Sequence, residues 1–207
     1  MTPLADWPAE TTGLLIVDLQ NDFLHPEGAY GRAGRTSAAI AALPERVAPV
    51  ARALRAAGGV VISTQFTLVP GRGGAPMIAE HLKRLRPFLG AGDFEPGAVG
   101  HRLVDALQPA DFVIEKVAYS AFWQTRLEFV LKAARVERLL VCGIVTNGGV
   151  ASTFRDAHVR GIEAMLLSDG CAAFDPAVHD ATLTALASLG PTATCAEAAA
   201  RFAGRAA

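Results

Sequence analysis

Four stretches of the chain end an apolar run on a polar side chain or a knot of small residues: TGLLIVDLQNDF, VVISTQFT, FVIEKVAYSAF and RLLVCGIVTNGGVASTFRDA. Asp18 follows the apolar residues 14–17. A carboxylate at that depth is costly unless it is paired or used. Lys116 follows the short run 112–115. An ammonium near a buried end needs an anion, and Asp18 is the obvious candidate from another strand. Gln65 closes the second run with a neutral amide suited to orienting a polar ligand. Gln20 stands two positions beyond Asp18 and shares its face if the strand continues. Asp22 is expected to brace the following loop. Phe23 is expected to pack in the core and, with Gln20, is carried as a candidate substrate contact.

The fourth stretch runs from a strand through a tight loop into a helix, where α/β enzymes often place a nucleophile. Between Thr146 and Ser152 there is no cysteine, and the apex holds Gly148 and Gly149. Small residues at a helix start let an anion or a carbonyl approach free backbone N–H groups. The same glycines would serve a close helix–strand crossing, and they are not a dinucleotide fingerprint. Ser120 reads best as the N-cap of a helix starting at Ala121. The histidines His25, His81, His101, His158 and His179 form no pair at ligand spacing, so no metal and no cofactor is expected. They are expected on the surface or on helix faces.

The elements that must position these groups alternate. Strand-length apolar runs fall at 13–19, 59–65, 112–115, 139–144 and 163–168, with a weaker one at 192–195; helical periodicity falls at 37–57, 97–107, 121–135, 150–160 and 177–189. Runs rich in Val, Ile and Leu suit strands covered on both faces. The alternation predicts a three-layer α/β/α fold with a six-stranded, mostly parallel Rossmann-like sheet and right-handed crossovers. Ligands then bind outside the carboxyl ends of the strands. The stretch 67–100, rich in Gly and Pro, reads as a partly helical excursion beside the site or as a solvated loop.

The chain has 207 residues, 51% hydrophobic and 19% charged, with a formal charge of −1. That size and composition predict one compact domain, 1–207, with some apolar surface covered by a partner subunit. The charge gives no basic field for nucleic acid. Cys142, Cys171 and Cys195 sit in apolar contexts and read as reduced thiols of a cytoplasmic protein. No apolar run is long enough to span a membrane, and the N-terminus lacks the pattern of a signal peptide.

Taken in order, VDLQNDF at 17–23, the lysine and SAF of EKVAYSAFWQTRLE at 115–128, GIVTNGGVASTFRDA at 143–157 and LSDGCAAF at 167–174 resemble the isochorismatase-like hydrolase superfamily. The resemblance implies a six-stranded parallel sheet and a homodimer or homotetramer. It implies Asp18 and Lys116 as two members of an Asp-Lys-Cys triad, and a cis peptide joining Val145 to Thr146. The family's amidases place their cysteine where this chain has Gly149, which removes the covalent step. Isochorismatases also carry glycine there. Their vinyl-ether hydrolysis needs a proton at the terminal methylene carbon and water to capture the oxocarbenium ion, with no nucleophile. Val117 and Ala118 stand where isochorismatases usually have Trp and Arg, and Asn147 where they tend to have His. Arg72, Arg84 or Arg86 could supply the missing cation.

On this reading Asp18, Lys116 and Gly149 form the catalytic set. Gln20, Phe23, Gln65, Tyr119, Val145, Thr146, Asn147 and Gly148 form the walls for a small-molecule substrate. The leading expectation is a hydrolase using Asp18 as general acid on isochorismate or an analogue. The alternatives are an amide or imide hydrolase using water or a displaced thiol, with Cys171 nearest to hand, and a non-catalytic relative that binds a small molecule or another subunit.

Overall fold

The computed structural model describes residues 2–204; Met1 and residues 205–207, the ends of the expected domain, lie outside them. The strands are β1 (Thr12–Val17), β2 (Val60–Phe66), β3 (Phe112–Lys116), β4 (Arg138–Ile144), β5 (Glu163–Ala172) and β6 (Thr192–Ala193). They form one sheet in the order β3-β2-β1-β4-β5-β6, and every neighbouring pair is parallel. The helices are α1 (Asn21–Leu24), α2 (Ala29–Arg32), α3 (Ala38–Ala41), α4 (Leu43–Ala56), α5 (Glu80–Leu85), α6 (Leu127–Ala133), α7 (Ala151–Val159), α8 (Pro176–Leu186) and α9 (Cys195–Ala203).

The central strands carry the core. Leu14, Leu15, Ile16 and Val17 on β1 and Leu139, Leu140 and Val141 on β4 are fully buried. Such continuous runs are what a strand covered on both faces requires. Helix α4 buries Leu43, Val47, Val50, Ala51 and Leu54, a stripe at helical spacing. It packs on α9 and on β1, β2 and β5, while α7 packs on β5 and α8. Right-handed crossovers put α4 and α9 on one face and α7 and α8 on the other. The fold is the three-layer α/β/α sheet that the sequence predicts.

Several boundaries differ from expectation for physical reasons. β1 stops at Val17, because Asp18 has φ 56 and the chain turns there. The helix expected over 97–107 is reduced to a 3₁₀ turn, Asp105–Leu107. Its carbonyls serve a different partner: Asn21 N–H donates to Arg102 O, Asp22 N–H to Gly100 O, and the Gln20 side chain to His101 O. The helix expected over 121–135 begins at Leu127, after Gln124 at φ 52 has broken the helical path. Ser120 is therefore no N-cap; its hydroxyl donates to Asp156 and accepts from Phe122 N–H. The region 37–57 is two helices, with Ser37 capping α3. Helix α9 follows a reciprocal cap in which Thr194 and Glu197 each bond the other's backbone N–H.

One glycine near the site is fixed by space. Gly143 has φ +116, and a Cβ on it would lie 2.0 Å from Val17 O across the β1–β4 pairing. Gly143→Ala is expected to cost more than about 2 kcal/mol of unfolding free energy. Urea denaturation checks this, and an unchanged midpoint would contradict it.

Candidate active site

Open parallel sheets bind ligands at the strand C-termini where the strand order reverses. In this sheet the reversal falls between β1 and β4. Asp18 follows β1 directly, and Lys116 ends β3, with β2 between them. Lys116 Nζ lies 2.6 Å from Asp18 Oδ2, and the two side chains are only 1% and 6% exposed. Nζ also donates to Ala118 O at 3.0 Å and sits 5.6 Å from the centre of the Phe66 ring. Thr64 on β2 completes the arrangement. Its Oγ1 accepts from Asp18 N–H at 3.2 Å and lies 2.7 Å from Asp18 Oδ1. With Asp18 a carboxylate beside the Lys116 ammonium, Oδ1 has no proton to give and the Thr64 hydroxyl donates to it. Both carboxylate oxygens are hydrogen-bond acceptors. Removing either charge would leave the other buried and uncompensated.

β4 leads into the glycine loop through a cis peptide between Ile144 and Val145, one bond before the position expected. Residues Thr146–Val150 then form a π-helical turn that continues into α7. A Cβ on Gly149 would stand 3.1 Å from Ile144 O, 3.1 Å from Val17 Cγ1 and 3.3 Å from Asp18 Oδ2. Any side chain at 149 would thus begin in contact with the carboxylate. A Cβ on Gly148 would meet Val145 Cγ2 at 2.9 Å and Tyr119 Cε1 at 3.2 Å, so the Tyr119 ring lies against this turn. Thr146 is fully buried, and its Oγ1 is 2.8 Å from His179 Nδ1 on α8.

The outer wall is aromatic. Arg86, just past α5, donates from Nε to Tyr30 OH at 2.9 Å and from Nη2 to Tyr119 OH at 3.1 Å. Tyr30 stacks on Phe174 with centroids 5.5 Å apart and packs on Phe23 at 4.7 Å. Burial raises the Tyr30 phenol above its ordinary value, against the opposing charge of Arg86. The excursion 67–100 carries a single short helix, α5, and closes this wall with Leu68, Leu89 and Phe94.

The structure brings Asp18, Lys116, Gly148, Gly149 and Tyr119 together as the sequence suggests, with Thr146 buried behind the turn. Asn147 is exposed and turns into a shallow cleft between α7 and α8, beside Ala151, Arg155 and Val178. Val145 is half-buried against Gly148. Gln20 is a brace. Its amide spans Phe66 N–H, Phe66 O and His101 O, and it is fully buried. The turn at Asp18 removed the shared face that a continuing strand would have given it. Gln65 is buried next to the end of β2, where it pairs with Glu115 on β3. Phe23 belongs to the aromatic wall. Asp22 braces its loop by accepting from Ala29 and Phe94 N–H. His101 is buried against Thr67, away from the surface expected for it.

Thr64, Tyr30, Phe66, Phe174 and His179 line or brace the candidate site and were not singled out by sequence reasoning. Of the three arginines considered, Arg72 and Arg84 are exposed and Arg86 reaches the site. No group of three His, Cys, Asp or Glu side chains arranged to hold a metal ion occurs among the described residues.

The thiols are withdrawn. Cys142 Sγ faces Leu15 O and Cys171 Sγ faces Val141 O, each at 3.8 Å. Burial pushes Cys142 well up, Cys171 to about 12, and Cys195 up as well. None offers a thiolate near neutral pH. The native protein is therefore expected to leave all three thiols unreacted with a disulfide reagent such as DTNB, and to react only after unfolding. Rapid labelling of the folded protein would contradict this.

Fold and site together define a protein of the parallel-sheet α/β/α class with an Asp-Lys pair at the strand C-termini. Residues 12–198 match the Isochorismatase domain family, and the chain belongs to it. The chain is 34% identical over 193 residues to "Ureidoacrylate amidohydrolase RutB" of Methylorubrum extorquens, covering 87% of this chain and 77% of that protein. Among solved structures, a cysteine hydrolase from Pseudomonas syringae pv. phaseolicola 1448A superposes with a TM-score of 0.81 at 27% identity, over 99% of both chains. An isochorismatase family protein from Desulfovibrio vulgaris superposes with a TM-score of 0.75 at 25% identity, over 90% of this chain and 95% of that one.

Proposed function

We propose that the chain is a single hydrolase domain that cleaves the C–N bond of a small amide or ureido compound by direct attack of water, with Asp18 as general base. The observation that carries this reading is the direction of the hydrogen bonds at Asp18. Lys116 donates to one oxygen and Thr64 to the other. A carboxylate held this way is set to take a proton. As the acid of vinyl-ether hydrolysis Asp18 would have to begin the reaction carrying a proton, whereas as base it begins as the acceptor it is in the resting site and carries a proton only after water has given it one. The amidohydrolase name of the relative supports the same side of the choice.

The steps balance without a thiol. Water, seated beside Gly149, gives a proton to Asp18 as its oxygen bonds to the carbonyl carbon. The carbonyl pair moves to oxygen, and N–H groups of the Thr146–Val150 turn other than those of Gly148 and Val150, which bond Val145 O, would hold the oxyanion. The C–N bond then breaks as the proton passes from Asp18 to the leaving nitrogen. Lys116 fixes the carboxylate and offsets its charge. The withdrawn thiols give no support to the displaced-thiol version.

Exposed Trp123, Phe129 and Val159, and a helix α8 that buries only Leu186, support assembly as a homodimer or homotetramer. Three free buried thiols support a cytoplasmic setting. No helix among the described residues is long and apolar enough to cross a membrane.

A panel of small primary amides, ureido acids and enol-pyruvyl ethers tests the reaction class. Ammonia release is expected from an amide, with the matching acid seen by NMR, or from a ureido compound, with the matching amine and carbon dioxide. Pyruvate from an ether with no ammonia from any amide would overturn the proposal.

A further inference from the structure

We propose that Arg86, with the phenols of Tyr30 and Tyr119, is an anion receptor that selects substrates carrying a carboxylate at the end remote from the scissile C–N bond. This rests on the C–N hydrolysis reading for the identity of the other end of the substrate. Arg86 is half-buried, and no ion pair to it occurs among the described residues. Its partners are two neutral hydroxyls. A guanidinium partly withdrawn from water with no counter-charge is an incomplete arrangement.

The hydrogen-bond roles state what would complete it. Arginine has five N–H donors and no acceptor. Two of the five are spent on Tyr30 and Tyr119. Each phenol oxygen accepts from Arg86, which leaves its own proton free to donate. The cluster therefore offers guanidinium N–H groups and two phenol O–H groups converging from three elements. Its spare capacity is all donor, and a carboxylate matches it with fork geometry.

Position ties the receptor to the site. Cε1 of Tyr119 faces Gly148, while its hydroxyl, on the neighbouring ring carbon, meets Arg86. Asp18 lies on the other side of the glycine pair, against Gly149. A substrate reaching from Asp18 to Arg86 need only pass the edge of one tyrosine ring. The substrate class proposed is therefore a short-chain amide or ureido acid.

Binding separates this proposal from the catalytic one. Calorimetry and ligand-observed NMR would compare succinate with its uncharged counterpart 1,4-butanediol, neither of which requires turnover. Succinate is expected to bind the native protein and to weaken at least about tenfold in Arg86→Gln. Arg86→Lys, which keeps charge but loses the fork, should fall between. Tyr119→Phe, which keeps the ring, should weaken succinate by a few-fold and leave 1,4-butanediol unchanged. Circular dichroism shows which variants fold, and Tyr119→Phe carries the test if Arg86→Gln does not. Unchanged succinate affinity in the folded variants, or no succinate binding by the native protein at tens of millimolar, would overturn the proposal. Neither result bears on whether amides are hydrolysed.

Discussion

Asp18→Asn is expected to lower kcat for C–N hydrolysis by about a hundred- to ten-thousandfold, with KM little changed. The amide cannot take a proton from water, yet its oxygen can still accept from Lys116 or Thr64. The loss should therefore fall on the chemical step. Stability should fall too, by about 3 kcal/mol, because Lys116 Nζ remains buried without a counter-charge. Steady-state kinetics beside urea denaturation separates the two effects. A folded Asp18→Asn protein retaining more than a tenth of the native rate would contradict the role of base.

Gly149→Cys should change the mechanism. The new Cβ would sit 3.3 Å from Asp18 Oδ2, with Ile144 O and Val17 Cγ1 each at 3.1 Å. Those contacts are tight, and about 1–2 kcal/mol of overpacking is expected. The thiol would stand beside a ready base and an ammonium, the conditions that favour a reactive thiolate. Iodoacetamide is expected to remove more than nine-tenths of the activity of Gly149→Cys and to leave the native enzyme unaffected. A Gly149→Cys protein indifferent to alkylation would mean that position 149 does not face the reacting carbon.

The parts of this site legible in the sequence are those that violate an apolar rule. Asp18 and Lys116 stand out because a charge closing a buried strand has no cheap explanation, and each implies the other. Gly149 stands out only against the resemblance, where it replaces a cysteine. Thr64 was hidden because threonine suits any strand, and nothing local shows that its hydroxyl meets Asp18 from the next strand. Gln20 was misplaced for a single reason: the pattern of β1 continues to Leu19, but the backbone turns at Asp18. Arg86 lies in an excursion without periodicity, so its meeting with Tyr30 and Tyr119 depends on how the segment folds back.

The same holds for the fold. The central strands β1, β2, β4 and β5 are readable because buried parallel strands form continuous apolar runs, whereas β3 at the sheet edge is mostly exposed and β6 is only Thr192–Ala193. The region 97–107 has helical composition, yet its carbonyls are claimed by Gln20, Asn21 and Asp22 from a distant part of the chain. Such a long-range claim leaves no mark on the local pattern. Helix α9 did leave one, the Thr194 and Glu197 cap, in a segment too short for periodicity to announce it.

The central claim is direct attack of water without a covalent enzyme intermediate. Intact-mass spectrometry of the enzyme quenched during its first turnovers of a hydrolysed amide, in heavy-oxygen water, tests it most directly. Expected are a chain of unaltered mass and a product acid that carries the solvent oxygen from the first turnover. A chain bearing an acyl adduct, or one that has traded a carboxylate oxygen with the product, would contradict it.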